Sequence, residues 1–463
     1  MKNLKTMELK MRKEGMSNHA IYAFRQNFLA LLEGQTGLVS ESEIEPVLEL
    51  PRFDQIRSDV EVDQVLLAQT AVLKLNGGLG TSMGLDRAKS LLPVKDGLTF
   101  LDLIARQILH QRKIYRCKIP FCLMNSFSTQ SDTLAFLSRY PDLADGLPLA
   151  FLQSKVPKIE VETFNQISWP ENEGLEWCPP GHGDLYPSLL DSGLLNTFLE
   201  QGISYLFVSN ADNLGARLDP EILRYFAESE FPFMMEVAER TSADRKGGHL
   251  ALRKSNGRFL LRESAQCAEV DLESFQDTQR HRFFNTNNLW IHLEALKDRL
   301  DTEGGFLPLP LIRNSKTVDP QKSDSPKVYQ LETAMGSAIE VFSGAGALVV
   351  SRDRFAPVKT TSDLLTLRSD AYTLGKDFTM CRSEDCLVLP RVSLDQAYYG
   401  RTADFETLFA QGVPSLKNCE QLLVQGPVRF AQGVVCQGKV SIVNLATEIK
   451  ELDRGVYSSE VLL

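Results

Sequence analysis

The run Leu73-Lys74-Leu75-Asn76-Gly77-Gly78-Leu79-Gly80-Thr81-Ser82-Met83-Gly84 carries an apolar stretch straight into glycines at 77, 78, 80 and 84. Glycine lets backbone N–H groups approach a ligand closely and adopt positive φ, and several such groups form a concave donor nest for phosphate oxygens. Lys89 follows just beyond. Strand, glycine loop and lysine together point to a nucleotide triphosphate site; a tight turn between two strands is the plainer alternative. Two phosphate motifs fail here. GxxxxGK[ST] does not match, because no lysine follows Gly84, and after Gly78-Leu79-Gly80 the third glycine of the dinucleotide fingerprint comes one position late. Asp102 lies about 20 residues on, where that fingerprint asks for an acid. It sits, however, in Thr99-Phe100-Leu101-Asp102, which reads as a helix-starting capping box.

Four further segments are polar where structure alone would not ask for it. In Cys178-Pro179-Pro180-Gly181-His182-Gly183-Asp184 the prolines stiffen the chain and two glycines free the backbone around an imidazole, which suits a rigid ligand-facing loop. Ser209-Asn210-Ala211-Asp212-Asn213 follows the apolar run Tyr205 to Val208; a carboxylate at such a strand end can bind Mg²⁺, or the stretch is an Asx-turn. Phe284-Asn285-Thr286-Asn287-Asn288-Leu289-Trp290 sets three amides ahead of an apolar run, and amides both donate to and accept from sugar hydroxyls; a polar turn explains them equally. In Pro357 to Leu365, Lys359 precedes a helix expected to begin near Ser362, so a full charge joins the partial positive charge of a helix N-terminus.

These segments need a scaffold, and the chain is long enough to supply one. At 463 residues it exceeds one ordinary core, so two or three domains are expected. Residues 1–66 read as a helical segment, with Ile21, Phe24, Phe28, Leu31 and Leu32 at helical spacing, then a linker over Glu41 to Val60. From residue 67 to about 372, apolar runs alternate with helical patterns. Strands are expected at Ala71–Leu75, Pro120–Met124, Tyr205–Ser209, Pro232–Val237, Asn288–His292 and Ala347–Ser351, and helices at Thr99–Gln111, Ser192–Gln201, Pro220–Ala227 and Thr333–Phe342. Such alternation implies a largely parallel sheet covered on both faces, with ligands beyond the carboxyl ends of its strands. In residues 373–463, Leu422, Val428, Val434 and Val440 recur every six residues, a period that suits a β-helix; ordinary hairpins are the alternative.

Composition closes off several function classes. The net charge of −10 argues against non-specific binding to nucleic acid or anionic membranes, so an anionic substrate must be held by local positive charge. No apolar run reaches the ~18 residues of a membrane span, and Met1 to Gly15 lacks the apolar core of a secretory signal. The cysteines at 117, 122, 178, 267, 381, 386, 419 and 436 form no CxxC pair; free, mostly buried thiols in a reducing cytoplasm are expected.

Taken together with Lys246-Gly247-Gly248 and Gln330-Leu331-Glu332-Thr333-Ala334-Met335-Gly336, these motifs resemble the eukaryotic-type UTP–glucose-1-phosphate uridylyltransferases, in the right order over residues 20 to 375. The resemblance implies a Rossmann-like nucleotidyltransferase domain with a mostly parallel mixed sheet, and a C-terminal left-handed β-helix. It implies UTP contacts at Leu75, Asn76, Gly77, Gly78, Lys89, Gln153, Gly181, Asn210, Asp212 and Lys359, with Gln153 reading uracil. Lys89 and Lys359 are the implied catalytic lysines, Asp212 the implied Mg²⁺ ligand, and His182, Lys246, Glu263 and Asn287 the implied sugar-phosphate contacts; the surroundings of Glu263 depart from the family's more apolar pattern. UTP and glucose 1-phosphate are the implied substrates, and a homo-oligomer through the C-terminal domain is compatible with the family. Three rival readings stand beside this one: a sister enzyme acting on galactose or N-acetylhexosamine 1-phosphate, a non-catalytic binding relative, and a nicotinamide oxidoreductase.

Overall fold

The residues Thr-Ala-Val-Leu-Lys-Leu-Asn at 70–76 are buried almost throughout, as a strand covered on both faces requires. In a computed structural model, which describes residues 2–56, 61–241, 244–245 and 247–463, this strand lies in a ten-stranded sheet. In chain order the strands are β1 (Ile44–Pro46), β2 (Thr70–Asn76), β3 (Phe121–Asn125), β4 (Ala150–Leu152), β5 (Tyr205–Asn210), β6 (Phe233–Glu239), β7 (His249–Arg253), β8 (Phe259–Arg262), β9 (Phe283–His292) and β10 (Gly346–Val349). Their order is β1-β7-β9-β5-β2-β3-β4, with β8 on β7, β6 on β9 and β10 on β6.

The sheet is mixed, with only β1, β8 and β9 running against the other strands. β5, β2, β3 and β4 run parallel. The long strand β9 runs against them and pairs antiparallel with β5, β6 and β7, so that β6 and β7 run in the same sense as β5. Alternation along the strands feeds two cores. Val72, Phe207 and Trp290 face one layer with the helices Phe100–Tyr115 and Pro220–Glu228; Leu73, Leu206 and Val208 face the other with Leu185–Asp191, Leu194–Glu200 and Leu293–Thr302. The helix at 100 starts where its sequence says. Thr99 caps it, Asp102 completes the capping box, and Tyr140 Oη donates to Asp102 at 2.5 Å.

Two expectations meet differences, and one alternative is removed. The linker at 41–60 carries β1, which pairs with β7 through Pro46 on a sheet edge, where a proline is tolerated; residues 57–60 of it lie outside the described residues. The helix expected at Thr333–Phe342 is a 3₁₀ turn over Met335–Glu340. Here tertiary contacts override helical spacing, since Met335 N–H donates to His182 Nδ1 and Tyr186 Oη donates to Met335 O. From residue 391 onward every strand pairing among the described residues is parallel, which removes the hairpin alternative. All eight cysteines are free, and no helix among the described residues is long and apolar enough to cross a membrane.

Candidate active site at the strand ends

β2, β3 and β5 end side by side against a cavity of about 300 Å³. It gathers Leu75, Asn76, Gly77, Gly78, Lys89, Gln153, Gly181, His182, Asn210 and Asp212 from five separate stretches of chain. Ser90, Met124, Pro179 and Ala211 also line it, and sequence reasoning assigned them no contact. Ser90 and Ala211 each lie beside a predicted site residue and Pro179 lies two before Gly181, so proximity in sequence is the signal that could have found them; Met124 ends an expected strand.

The glycine loop is held by its surroundings. Lys89 N–H donates to Gly78 O at 3.1 Å. Gly80 and Gly84 take φ of +69° and +71°, as expected of a loop that turns sharply. Asn76 donates to Asn125 Oδ1 at 2.8 Å and Thr133 Oγ1 at 2.9 Å, and Thr129 Oγ1 donates to Asn76 O at 2.8 Å, so the loop's first residue is locked in the sheet. The Gln153 carboxamide lies against this loop: a Cβ on Gly77 would sit 3.0 Å from its Nε2.

Opposite, Gly181 takes φ +80°, and a Cβ there would approach Thr333 O to 2.4 Å, so only glycine fits. His182 then places Nδ1 2.9 Å from the Met335 N–H. A backbone N–H can only donate, so Nδ1 is an acceptor and the neutral ring carries its proton on Nε2. Burial pushes the imidazole down to about 4. His182 is therefore an uncharged donor at neutral pH.

Lys89 and Asp212 meet at the cavity's far side, with Nζ 2.7 Å from Oδ2. Nζ also donates to Val358 O, and Val358 N–H donates to Asp212 O at 3.3 Å, so the pair ties the 357–359 segment to the cavity. Lys359 itself is exposed and does not line the cavity. It precedes the helix Thr361–Arg368, one residue earlier than expected, whose capping box joins Thr360 and Asp363.

Glu263 and Asn287 stand outside the cavity lining too, in the antiparallel half of the sheet. A register shift in β6 between Glu236 and Val237 leaves Thr286 and Asn287 as a bulge in β9, with Asn287 at φ +59°. Asn285 secures it, donating from Nδ2 to Asn287 Oδ1 at 2.8 Å and accepting from Asn287 N at 2.9 Å. Asn285 also stands near Glu263, whose carboxyl is raised by burial against the pull of Asn285 and of the nearby Lys359 charge. The structure thus brings Glu263, Asn285 and Lys359 into one neighbourhood. Lys246 lies outside the described residues.

Beneath both groups runs a buried polar network. Glu236 accepts two hydrogen bonds from Arg354, at 2.7 and 2.8 Å, one from Asn288 at 2.9 Å and one from Trp290 at 3.0 Å. Asn213 bridges from it to the loop, donating to Arg354 O at 3.1 Å and accepting from Ala356 N at 2.9 Å. Lys74 is fully enclosed beside it, donating to Ser209 Oγ at 2.7 Å and Ala216 O at 2.6 Å, and burial pushes its ammonium down to about 7. The loop carrying Asp212 and the segment carrying Lys359 are therefore fastened to the same interior charges.

Known proteins match this chain along most of its length. The family model described as UTP–glucose-1-phosphate uridylyltransferase matches residues 21–437. The chain is 41% identical over 407 residues to the UTP–glucose-1-phosphate uridylyltransferase of Musa acuminata, covering 87% of this chain and 85% of that protein. The crystal structure of UDP-glucose phosphorylase from Trypanosoma brucei superposes with a TM-score of 0.94 at 45% identity, covering 100% of both chains. A point mutant of UDP-glucose pyrophosphorylase from Leishmania major, in complex with UDP-glucose, gives a TM-score of 0.93 at 45% identity, covering 100% of this chain and 99% of that one.

Proposed function

The chain belongs to the UTP–glucose-1-phosphate uridylyltransferase family, and on that premise we propose how its strand-end cavity does the family's chemistry. The protein is a nucleotidyltransferase that joins UTP and α-D-glucose 1-phosphate to give UDP-glucose and pyrophosphate. A sugar-phosphate oxygen attacks the α-phosphorus in line; the bond from that phosphorus to the bridging oxygen breaks, and pyrophosphate leaves with the electron pair. Such chemistry needs positioning and charge neutralisation more than covalent help from the protein.

The nucleotide's base lies between the glycine loop and Gly181. Gln153 reads uracil there, since one amide can pair with both the carbonyl and the ring N–H. Leu75, Asn76, Gly77 and Gly78 supply the loop against the base and ribose, and Asn210 the ribose contact. His182 donates Nε2–H to a sugar-phosphate oxygen. Lys89 and Lys359 offset the repulsion between two anionic substrates and the charge growing on pyrophosphate. Glu263 and Asn287 accept from and donate to glucose hydroxyls. Lys246 is the remaining sugar-phosphate contact proposed. The observation that carries this reading is the single cavity in which the Lys89–Asp212 pair faces Gln153 and His182.

Asp212 is the residue that would hold Mg²⁺. Its Oδ2 takes Lys89 while Oδ1 has no protein partner among the described residues. No cluster of three or more His, Cys, Asp or Glu that could hold a metal stands among the described residues, which suits a cation held by one or two carboxylates plus substrate phosphates. Bound there, the ion would supply charge neutralisation at the phosphates.

We divide the chain into a helical segment 1–66, a catalytic domain 67–372 and a C-terminal left-handed β-helix 373–463. The parallel register supports the last: Leu422 pairs with Val440, three six-residue steps on. Exposed Leu445, Val456 and Leu462 offer that end as the surface for any homo-oligomer. Free thiols suit a cytoplasmic protein. The test is a panel of glucose, galactose and N-acetylhexosamine 1-phosphates with UTP, following pyrophosphate. Highest efficiency with glucose 1-phosphate is expected; preference for another sugar overturns the assigned substrate, and no release with any overturns catalysis.

A further inference from the structure

One carboxyl in the Gly-His-Gly-Asp turn touches no part of the cavity, yet connects two of the stretches that line it. Asp184 is buried. Its Oδ2 accepts from the Ser154 N–H at 2.6 Å and from Ser188 Oγ at 2.6 Å. Ser154 is the chain neighbour of Gln153, and Gln153 N–H in turn donates to Asn125 O at 2.8 Å. Asp184 sits two residues beyond His182, in a turn seated on Thr333 through the Gly183 N–H to Thr333 O bond at 2.9 Å. The bond to Ser154 is thus a direct fastening between the turn that bears Gly181 and His182 and the segment that bears Gln153.

No ion pair accounts for a carboxyl at that point. Asp184 has no cationic partner in a salt bridge among the described residues. Burial raises it to about 6, so the group is held at a cost. What it provides is an acceptor for a backbone N–H that would otherwise be orphaned beside the base site. The Ser154 N–H can reach no ladder partner, because β4 ends at Leu152.

We propose that Asp184 is a positioning residue for base selection, fixing the distance between the Gln153 carboxamide and the Gly181–His182 wall through its bond to the Ser154 N–H. The inference rests on Gln153 reading the base. Uracil and cytosine differ only at the edge that Gln153 faces, so a wall free to shift blunts the choice while the phosphate chemistry, tied to Lys89 and Asp212, continues. Asp184 acts through Gln153 and need not touch the nucleotide.

The experiment compares kcat/KM for UTP and CTP, with glucose 1-phosphate fixed, in the full chain and in D184A, D184N, Q153L and D184A/Q153L. In D184A the UTP preference is expected to fall about tenfold, mostly through a higher KM for UTP, which corresponds to ~1.4 kcal/mol. D184N keeps an acceptor oxygen of the same shape and is expected to stay within about threefold of wild type, the carboxylate itself never meeting substrate. Added to Q153L, D184A is expected to change the preference no further. Should D184A fail to fold, D184S, which is shorter and cannot reach Ser154 as well, takes its place. An unchanged UTP preference in a folded D184A or D184S overturns the proposal, as does a full additional loss in the double variant. If Q153L itself keeps the wild-type preference, the base-reading assignment falls, and this proposal with it; if Q153L loses the preference and D184A does not, this proposal alone falls.

Discussion

The two walls of the site are built differently. The nucleotide wall, from Leu75 to Gly78 with Gln153, Gly181 and His182, consists of groups on strand ends and in a tight turn, with Asn76, Gly78, Gln153 and His182 each fixed by hydrogen bonds to the surrounding chain. The opposite side offers Lys359, exposed on a long side chain, with Asn287 on the bulge of β9 and Glu263 just beyond β8. A preformed wall spends little ordering entropy when the nucleotide binds. A lysine on a flexible stem adds charge to whichever phosphate arrives, and its value is realised as that charge develops. The first wall should therefore govern which nucleotide binds, and the second how fast it reacts.

Asp212 stands where the walls meet, and its substitution should cost most. Asp212→Asn removes the carboxylate that would hold the ion and leaves Lys89 without its charge partner. A loss of turnover on the order of 10³ or more is expected, with the Mg²⁺ requirement shifted to far higher concentration. An unchanged metal titration would place the ion elsewhere. Lys359→Ala comes next. One preorganised charge contact is typically worth about 10²–10³ in rate, and kcat should fall by that much while the KM for UTP barely moves. An equal rise in that KM would erase the distinction between the walls.

Gln153→Leu sharpens the other side. Against CTP the wild-type site leaves two polar groups mismatched, each costing roughly 1–3 kcal/mol, so the preference for UTP should be at least about a hundredfold. The mutant should lose most of it, with the choice of sugar unaffected. The smallest effect concerns His182. Because its imidazole is held down to about 4, kcat/KM should show no inflection from this ring near pH 6.5. The same depression is a stability statement. The folded pKa lies below the unfolded one, so the contribution is complete above about pH 6.5 and is lost as pH falls toward 4. His182→Asn keeps an acceptor for the Met335 N–H and does not titrate. Chemical denaturation of both proteins from pH 7 to pH 4 should find wild type losing up to about 3 kcal/mol relative to the variant; parallel curves would mean that the ring is protonated in the fold.

What the sequence told in advance was local. The strand at 70–76, the capping box at Thr99 and the glycine turn at 80–84 depend on neighbouring residues, so periodicity and residue type were enough to find them. Features joining distant segments stayed hidden. No spacing announces that Lys89 will pair with Asp212, that Met335 N–H will take His182 Nδ1, or that a stretch containing Pro46 will extend the sheet. The reversal of strand direction at β9 escaped for a similar reason. An apolar run reads the same in either sense, and only its partners decide. The Asn285–Asn287 stretch looked polar from the start, but its bulge depends on β6 across the ladder.

The network around Glu236 has a consequence for how this sequence can change over generations. Glu236, Arg354, Asn288 and Asn213 are joined by hydrogen bonds in the interior. Removing one partner of a buried pair typically costs about 3–5 kcal/mol, whereas exchanging the whole set for well-packed neutral groups is far cheaper. Single steps away from the set are therefore steep, and the favourable route is a concerted one that point mutation seldom finds. Drift in these four positions is arrested together, and the loops they fasten inherit that immobility. A lineage can thus explore new residues on the exposed side of the site while the relative placement of Asp212 and the 357–359 segment stays frozen beneath it.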